Sequence, residues 1–441
     1  MKFYLVLVIP FLLIGCAKKT AVVEPEKPDS FKAVDIKASL SSISIIDRNG
    51  LSETITSKER LNLYRNVDFI SSQPYQKVMR VFAKDKEGVS CSVITSYHEN
   101  GQIKQYLEAI NSRAKGTYCE WHTNGQKKLL ARLIAGIADI DEKSQNSWSF
   151  DKVSYAWDSE GRIITEIPYN KGETEGLALY YHIDGAIAKE IPYSKSEING
   201  ELKVFLPDST LIECTAFKDG VQHGDSVGFW ASNTPSWKEC FEEGLLKSGA
   251  YFNKNNELIA SIEKGSGKRC IFDETGPNEF CEYKDGKAEG EVTILENNQH
   301  LICRYFLKNG EKHGEEMRYY LPKPFDGSKE QNLTPKLAIQ WYEGKIHGLA
   351  KTWYENGALE SQREMSQNLK QGHLSAWYKN GSLMLIEEYE KNKLVRGEYL
   401  KKDENSPISK VEHGKGIAML YDSDGNFNVK VRYQDGKPLE E

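Results

Sequence analysis

Segment 348–359 reads GLAKTWYENGAL, and segment 372–383 reads GHLSAWYKNGSL. The two segments begin 24 residues apart and keep their glycine, their Trp-Tyr pair and their Asn-Gly pair at the same positions. The same step separates Gly176 from Gly200. A fixed period of this length is typical of repeat proteins, in which each unit packs mainly on its neighbours.

The turn residues predict that each unit is a β-hairpin. Asn-Gly pairs stand at 100–101, 124–125, 356–357 and 380–381, and Asp-Gly pairs stand at 184–185 and 424–425. Both central residues of a type I′ turn need a positive φ, which these residue types tolerate, so we predict type I′ turns at these pairs. A second corner with Gly-x-x-x-Gly spacing, such as Gly344 to Gly348, is expected to lead into the next unit.

Alternation within the units favours strands over helices. In segment 348–354, Ala350, Thr352 and Tyr354 share one face, and the residues between them share the other. Hairpins of this kind, laid side by side, predict an all-β fold: an elongated antiparallel single-sheet meander of about ten or more β-hairpin repeats. Equivalent positions in successive repeats should lie about 9.6 Å apart, the width of two strands.

The period also divides the chain into segments. Repeats are predicted over residues 88–441, with an inserted Pro-punctuated loop at 322–336. The period fades in residues 36–87, which are therefore predicted to form an atypical N-terminal cap.

The first residues resemble a bacterial export signal. Residues 1–15 are mostly apolar but too short for a membrane span, which needs about 20 residues, so they are predicted to be a signal peptide. Leu13-Ile14-Gly15-Cys16 resembles the lipobox of bacterial lipoproteins, in which the cysteine is acylated. Residues 16–35 are predicted to be a flexible tether. We therefore expect the lipid bilayer as a partner, through acyl chains on Cys16, and a location in the bacterial cell envelope at the outer membrane.

The remaining seven cysteines do not suggest a full disulfide framework. Cysteines one repeat apart would exceed the Cα separation of about 7 Å that a disulfide allows. Cys270 and Cys281 flank a turn on opposite arms of one hairpin, which makes them the candidate disulfide. The other thiols are expected to pack as small apolar groups.

No catalytic residues, cofactor or metal site are predicted. The sequence shows no arrangement of nucleophile, acid and base. Four histidines precede corner glycines, but neighbours one repeat apart would be about 9.6 Å from each other, whereas zinc ligands lie about 2 Å from their metal. The chain has 58 Lys and Arg against 64 Asp and Glu, without a basic stripe, so nucleic acid is not an expected partner. The four histidines that precede corner glycines are His223, His313, His347 and His413.

The repeated unit resembles a known family. Its pattern is Gly-x-x-x-x-Trp-Tyr-x-Asn-Gly-x-Leu, followed by Tyr or Phe and then Gly-x-x-x-Gly, which resembles the MORN-variant repeat (membrane occupation and recognition nexus, type 2). The resemblance covers about residues 88–436. It implies an all-β ribbon without catalytic residues. Bacterial members are often described as the antitoxin of a toxin–antitoxin pair, and related eukaryotic repeats bind membranes or scaffold partners.

These observations predict a membrane-anchored bacterial lipoprotein that acts as a non-enzymatic scaffold for an unidentified protein partner. A one-layer sheet cannot fully bury its aromatic rows, so these rings are the candidates for partner binding. The candidates are Trp341, Tyr342, Trp353, Tyr354, Trp377 and Tyr378. Two alternatives remain open: an antitoxin or immunity protein that neutralises a toxin, and a protein that binds glycan or peptidoglycan through the aromatic rows.

Overall fold

The computed structural model describes residues 39–85, 87–230, 234–297, 299–321 and 333–439. Strands make up 64% of the chain and helices 3%, which confirms the all-β fold class. The predicted signal peptide 1–15, the tether 16–35 with Cys16, and most of the insert 322–336 lie outside the described residues.

The chain divides into two units. The first contains residues up to 235 and Phe241–Gly244; the second contains Ser236–Cys240 and residues from 245 onward. In both units, consecutive strands pair antiparallel, as the predicted meander requires. Strand β18 (Pro235–Glu242) contributes residues to each unit.

The first unit holds seventeen strands among its described residues. They are β1 Leu40–Asp47, β2 Ser52–Ile55, β3 Gln76–Lys84, β4 Ser90–Tyr97, β5 Ile103–Ile110, β6 Arg113–Trp121, β7 Lys127–Ala135, β8 Ser149–Trp157, β9 Ile163–Asn170, β10 Glu173–Thr174, β11 Gly176–Tyr181, β12 Ile187–Ser194, β13 Glu197–Ile198, β14 Gly200–Phe205, β15 Leu211–Lys218, β16 Val221–Gln222 and β17 Gly224–Phe229.

The second unit holds eighteen strands after β18 among its described residues. They are β19 Leu245–Phe252, β20 Leu258–Glu263, β21 Ser266–Phe272, β22 Pro277–Lys284, β23 Lys287–Glu296, β24 His300–Lys308, β25 Glu311–Lys312, β26 Gly314–Tyr319, β27 Pro335–Tyr342, β28 Lys345–Trp353, β29 Leu359–Ser366, β30 Leu369–Trp377, β31 Leu383–Glu390, β32 Lys393–Tyr399, β33 Ser409–Glu412, β34 Lys415–Tyr421, β35 Phe427–Gln434 and β36 Lys437–Pro438.

Two short helices cover opposite faces of the sheet in the first unit. Helix α1 (Lys58–Tyr64) begins at Ser57, whose side chain accepts a hydrogen bond from the Arg60 amide, and it packs on the core that contains Ile43 and Tyr97. Helix α2 (Glu142–Gln145) lies in segment 136–148, which we call the strap. The strap packs on the other face of the sheet, against Leu107, Tyr118 and Leu133.

The predicted type I′ turns at the Asn-Gly pairs are wrong. At the turn of segment 354–358, Gly357 has a φ of 83° whereas Asn356 is not among the residues with positive φ. The Tyr354 amide donates to Ala358 O and the Gly357 amide donates to Tyr354 O, each at 2.9 Å. This is a type I turn followed by a glycine bulge. Asn356 favours it because its side-chain oxygen accepts a hydrogen bond from the Ala358 amide at 3.0 Å.

Type I′ turns occur instead at the other end of each hairpin. Asp219 and Gly220 have φ values of 48° and 80°, and Lys218 pairs directly with Val221 around them. The second glycine of the Gly-x-x-x-Gly spacing is therefore not a corner. Gly348, with a φ of 104°, lies where the Gln340 side chain caps the Leu349 amide at 3.0 Å, and a Cβ at Gly348 would collide with that side chain.

The second unit has its own buried cluster near its last strands. Leu394, Tyr399 and Val411 are its most buried members, and Tyr389 and Ala418 pack with them. Elsewhere in this unit, many side chains of β27 to β30 are only half-buried, as a sheet without a second layer requires.

Candidate functional site

Three tyrosines at the ends of strands in the second unit each fasten one hairpin to the next. The Tyr354 hydroxyl donates to Trp377 O at 2.8 Å, and the Tyr378 hydroxyl donates to Leu400 O at 2.8 Å. The Tyr320 hydroxyl reaches Trp353 O in the same way at 2.7 Å. We call these contacts latches, because each one satisfies a turn carbonyl that belongs to the following hairpin.

Histidines make equivalent latches in the first unit. His98 Nε2 lies 2.9 Å from Trp121 O, and His182 Nε2 lies 2.8 Å from Phe205 O. A carbonyl oxygen only accepts, so the ring nitrogen donates in each case. His122 contacts Trp157 O at 2.9 Å. These histidines were not identified from the sequence, although they stand at the same offset before the turn glycine as Tyr354.

The latches divide the predicted binding residues into two groups. Tyr378 is fully buried and Tyr354 is buried, so both rings hold the repeats together and offer little surface to a partner. Tyr342 is 53% exposed. The three predicted tryptophans, Trp341, Trp353 and Trp377, are half-buried.

Tyr342 lies between two histidine rings. Its ring centroid is 5.2 Å from that of His313 and 6.2 Å from that of His347. His313 Nδ1 is buried without a hydrogen-bond partner, and His347 is exposed. The three rings form a cluster with tilted planes, at 47° and 53° to that of the tyrosine, and Tyr342 is its 53% exposed central member.

Trp341 is anchored on a buried carboxylate. Glu316 is fully buried and accepts from Lys312 Nζ at 2.6 Å, Arg318 Nε at 2.7 Å and Trp341 Nε1 at 3.0 Å. Burial alone would raise the pKa of Glu316, but the hydrogen bonds from Lys312 and Arg318 outweigh it and lower that pKa. The ammonium of Lys312 also lies 4.3 Å from the Tyr305 ring centroid, a cation–π distance.

Buried carboxylates recur in two further places of the second unit. Glu239 accepts from Arg269 Nε at 2.6 Å and from the Tyr251 hydroxyl at 2.7 Å. Glu387 accepts only from tyrosines in the described contacts, Tyr389 at 2.9 Å and Tyr399 at 2.8 Å. The sequence did not predict these buried carboxylates, because the residues that form hydrogen bonds with them and stabilise their burial come mostly from other strands.

The sheet register separates the two cysteines of the candidate disulfide. Cys270 pairs with Phe280 and Cys281 pairs with Arg269, so the two thiols point to opposite faces. All seven cysteines among the described residues are free thiols. Burial raises the pKa of Cys270 to about 12 and that of Cys281 to about 11, which keeps both thiols protonated and unreactive at neutral pH. The predicted bond is thus replaced by two packed thiols.

Within the described residues, no three His, Cys, Asp or Glu side chains converge in a way that could hold a metal ion. The helices of these residues are too short and too polar to cross a bilayer.

Hairpins that share latches and a common period define a β-hairpin repeat protein. Residues 346–367 match the family model of the MORN repeat variant. This segment contains nearly all of strand β28, the Asn-Gly turn and the return strand β29, which together form one hairpin. The resemblance seen in the sequence is thus supported at this repeat. No curated protein matches the chain.

Proposed function

We propose that the protein is a non-enzymatic scaffold that binds another protein through exposed side chains of its repeats. The observation that carries the proposal is the cluster of His313, Tyr342 and His347, in which an aromatic ring at a strand end stays 53% exposed. Tyrosine is enriched at the centres of protein interfaces because it buries a large area at a low entropic cost. The half-buried rings of Trp353 and Trp377 extend the aromatic surface of this unit.

The proposal includes a lipid anchor. Leu13-Ile14-Gly15-Cys16 follows an apolar segment of signal-peptide length, and the Pro-containing residues 16–35 have the composition of a tether. An acylated Cys16 would hold the repeats at the outer membrane of a bacterial envelope.

A pull-down with the full chain tests the scaffold. Tyr342→Ala is expected to lower recovery of the partner, whereas Phe427→Ala, which removes a ring that is 55% exposed on another strand, is expected to leave recovery unchanged. Equal recovery with both variants would exclude the Tyr342 cluster as the binding surface.

Cell fractionation tests the anchor. Cys16→Ser is expected to move the protein from the membrane fraction to the soluble fraction or to leave the signal peptide uncleaved. A variant that still partitions with membranes and migrates like the native chain would contradict lipidation.

A further inference from the structure

The strap shows what kind of segment packs on one face of the first unit. The Trp148 ring meets the Tyr118 ring edge-on, with centroids 4.7 Å apart, and Ile140 packs on the same cluster. Asp139 forms an ion pair with Arg80 at 2.7 Å. Arg80 belongs to the same face, because the register runs from Arg80 through Ile94 and Leu107 to Tyr118. A segment with apolar side chains and carboxylates is thus complementary to this face.

The same face continues beyond the strap as a row of aromatic rings. Leu133, under the strap, pairs with Phe150, and the Phe150 ring lies 5.1 Å from that of Tyr169. Burial raises the pKa of Tyr169 and Tyr193, and the neighbouring Tyr180 adds to the rise in both. We call Phe150, Tyr169, Tyr180 and Tyr193 the tyrosine band.

The tyrosine band is half-buried, and its hydroxyls are available for hydrogen bonds. Within the part of the chain that the structure describes, the hydroxyls of Tyr169, Tyr180 and Tyr193 have no hydrogen-bond partner. By contrast, the Tyr181 hydroxyl on the neighbouring position donates to Glu166 at 2.8 Å. By register, Tyr180 lies opposite Thr165 and Lys189, and these positions share a face with Tyr169 and Tyr193. The three rings therefore offer apolar area and hydroxyl donors on one side of the sheet.

Charge is distributed unequally between the two faces of this region. Lys189 pairs across the strands with Tyr180, on the side of the tyrosine band, and forms no ion pair among the described residues. Glu166 and Glu190 both pair with Leu179, one residue away from Tyr180, so they belong to the opposite face. Glu213 also lies on the band side, because Lys189 pairs with Val204 and Val204 pairs with Glu213, but its side chain is buried. The accessible groups of the band side are thus Lys189 and hydroxyl donors, which favour a ligand with carboxylates.

We propose that the tyrosine band is a docking surface for a segment of a partner protein that combines aliphatic or aromatic side chains with carboxylates, as the strap does. The inference rests on the proposed scaffold function and adds the chemistry of the partner and a second surface, distant in sequence from Tyr342. The apolar side chains would cover Phe150, Tyr169 and Tyr193, and a carboxylate would accept from Lys189 and the Tyr180 hydroxyl.

Fluorescence anisotropy with a labelled synthetic peptide tests this surface. The probe is the strap sequence itself, GIADIDEKSQNSW, which carries three carboxylates and one lysine. The full chain is expected to bind it. Tyr180→Ala is expected to weaken binding at least about tenfold, as for the loss of a central interface ring, and Lys189→Glu should weaken it by a smaller factor. Tyr180→Phe, which keeps the ring, should fall between native and Tyr180→Ala.

Matched controls separate the surface from general damage to the fold. Leu177→Ala removes a side chain that is 47% exposed and pairs with Pro192 on the opposite face, so it is expected to leave peptide binding unchanged. A probe with Asp139, Asp141 and Glu142 replaced by lysine is expected to lose binding. Near-ultraviolet circular dichroism confirms that each variant is folded.

Three outcomes would overturn the inference: no binding of the acidic probe, equal binding of the lysine-substituted probe, or binding that survives both Tyr180→Ala and Lys189→Glu. Tyr180-dependent binding of a chitotetraose oligosaccharide in place of the peptide would assign the band to sugars and would also overturn it. A partner whose recovery depends on Tyr342 but not on Tyr180 would leave the scaffold in place and remove only the tyrosine band.

Discussion

The hydroxyl of Tyr378 donates a hydrogen bond to the backbone carbonyl of Leu400, 2.8 Å away, from a side chain that is fully buried. The two residues belong to successive hairpins of the second unit. The same contact joins Tyr354 to Trp377 O, so tyrosine repeatedly supplies a hydrogen-bond donor to a carbonyl at a strand end of the following hairpin. Aromatic residues before the Asn-Gly turns are therefore part of what fixes one repeat on the next.

Loss of one latch should measurably destabilise the second unit. Tyr378→Phe removes the donor and leaves Leu400 O without its partner in a buried site, which is expected to cost about 1–3 kcal/mol of unfolding free energy. Urea denaturation followed by tyrosine and tryptophan fluorescence measures the change. Tyr342→Phe, at an exposed ring, should change it by less than about 0.5 kcal/mol. Equal effects of the two substitutions would show that the latch has no energetic role.

Two glycines with positive φ should differ in their tolerance of a methyl group. Gly357 has open space around a Cβ, so Gly357→Ala should cost only the backbone strain of about 1–2 kcal/mol. At Gly416, with a φ of 151°, a Cβ would collide with the Lys410 carbonyl oxygen and lie 2.8 Å from Val411 Cα. Because backbone atoms cannot move aside as a side chain can, Gly416→Ala should cost clearly more. Thermal unfolding of the two variants would contradict this if their midpoints were equal.

The buried carboxylate of Glu316 should make the second unit sensitive to acid. Its pKa lies below the usual value of 4.5, so its ionised form stabilises the fold above that pH, and this stability is lost as the pH falls through the lowered pKa. Glu316→Gln should therefore lower the unfolding free energy at pH 7 by about 1.5–3 kcal/mol, the range for hydrogen bonds to charged groups.

The difference in unfolding free energy between the native chain and Glu316→Gln should shrink as the pH falls below 4.5 through the lowered pKa of Glu316. Glu315→Gln, at an exposed position one residue away, is the control. It should change neither the unfolding free energy at pH 7 nor its dependence on pH. A pH-independent difference would refute the assigned electrostatic role.

Thiol accessibility should follow burial. In the folded chain, only Cys91 and Cys240 among the described cysteines are half-exposed, so a bulky thiol reagent should modify these two first. Cys270 and Cys281 should react only after unfolding, because burial raises the pKa of both thiols. Mass spectrometry of labelled peptides with and without prior reduction provides the measurement. Labelling of Cys270 and Cys281 in the unfolded chain only after reduction would reveal a disulfide between them and contradict the register.

The sequence was sufficient for the fold class but not for the detail of its turns. The Asn356-Gly357 pair is compatible with a two-residue type I′ turn and with a three-residue type I turn plus bulge. Which of the two turns forms depends on whether the Tyr354 amide bonds to Ala358 O, as it does here. That contact is set by the register of the strands and not by the Asn-Gly pair.

The candidate site was predicted in part for a similar reason. Alternation placed Tyr354 on a sheet face, but the latches of Tyr354 and Tyr378 reach carbonyls 23 and 22 residues further along the chain, which a local pattern does not reveal. The tyrosine band was missed because the shared face of Tyr169, Tyr180 and Tyr193 follows from the register of neighbouring strands. The local sequence pattern predicts on which face of the sheet a side chain lies. Whether that side chain is buried depends on the residues of the neighbouring hairpin.

The latch from Tyr320 to Trp353 joins residues that are 33 positions apart, whereas the latch from Tyr354 to Trp377 joins residues that are 23 apart. The same tyrosine-to-tryptophan latch thus forms across connecting segments of unequal length. Such joints would let a gene gain or lose whole hairpins, or lengthen one connecting loop, without redesign of the remaining units. New surfaces could then be added to the array by duplication alone.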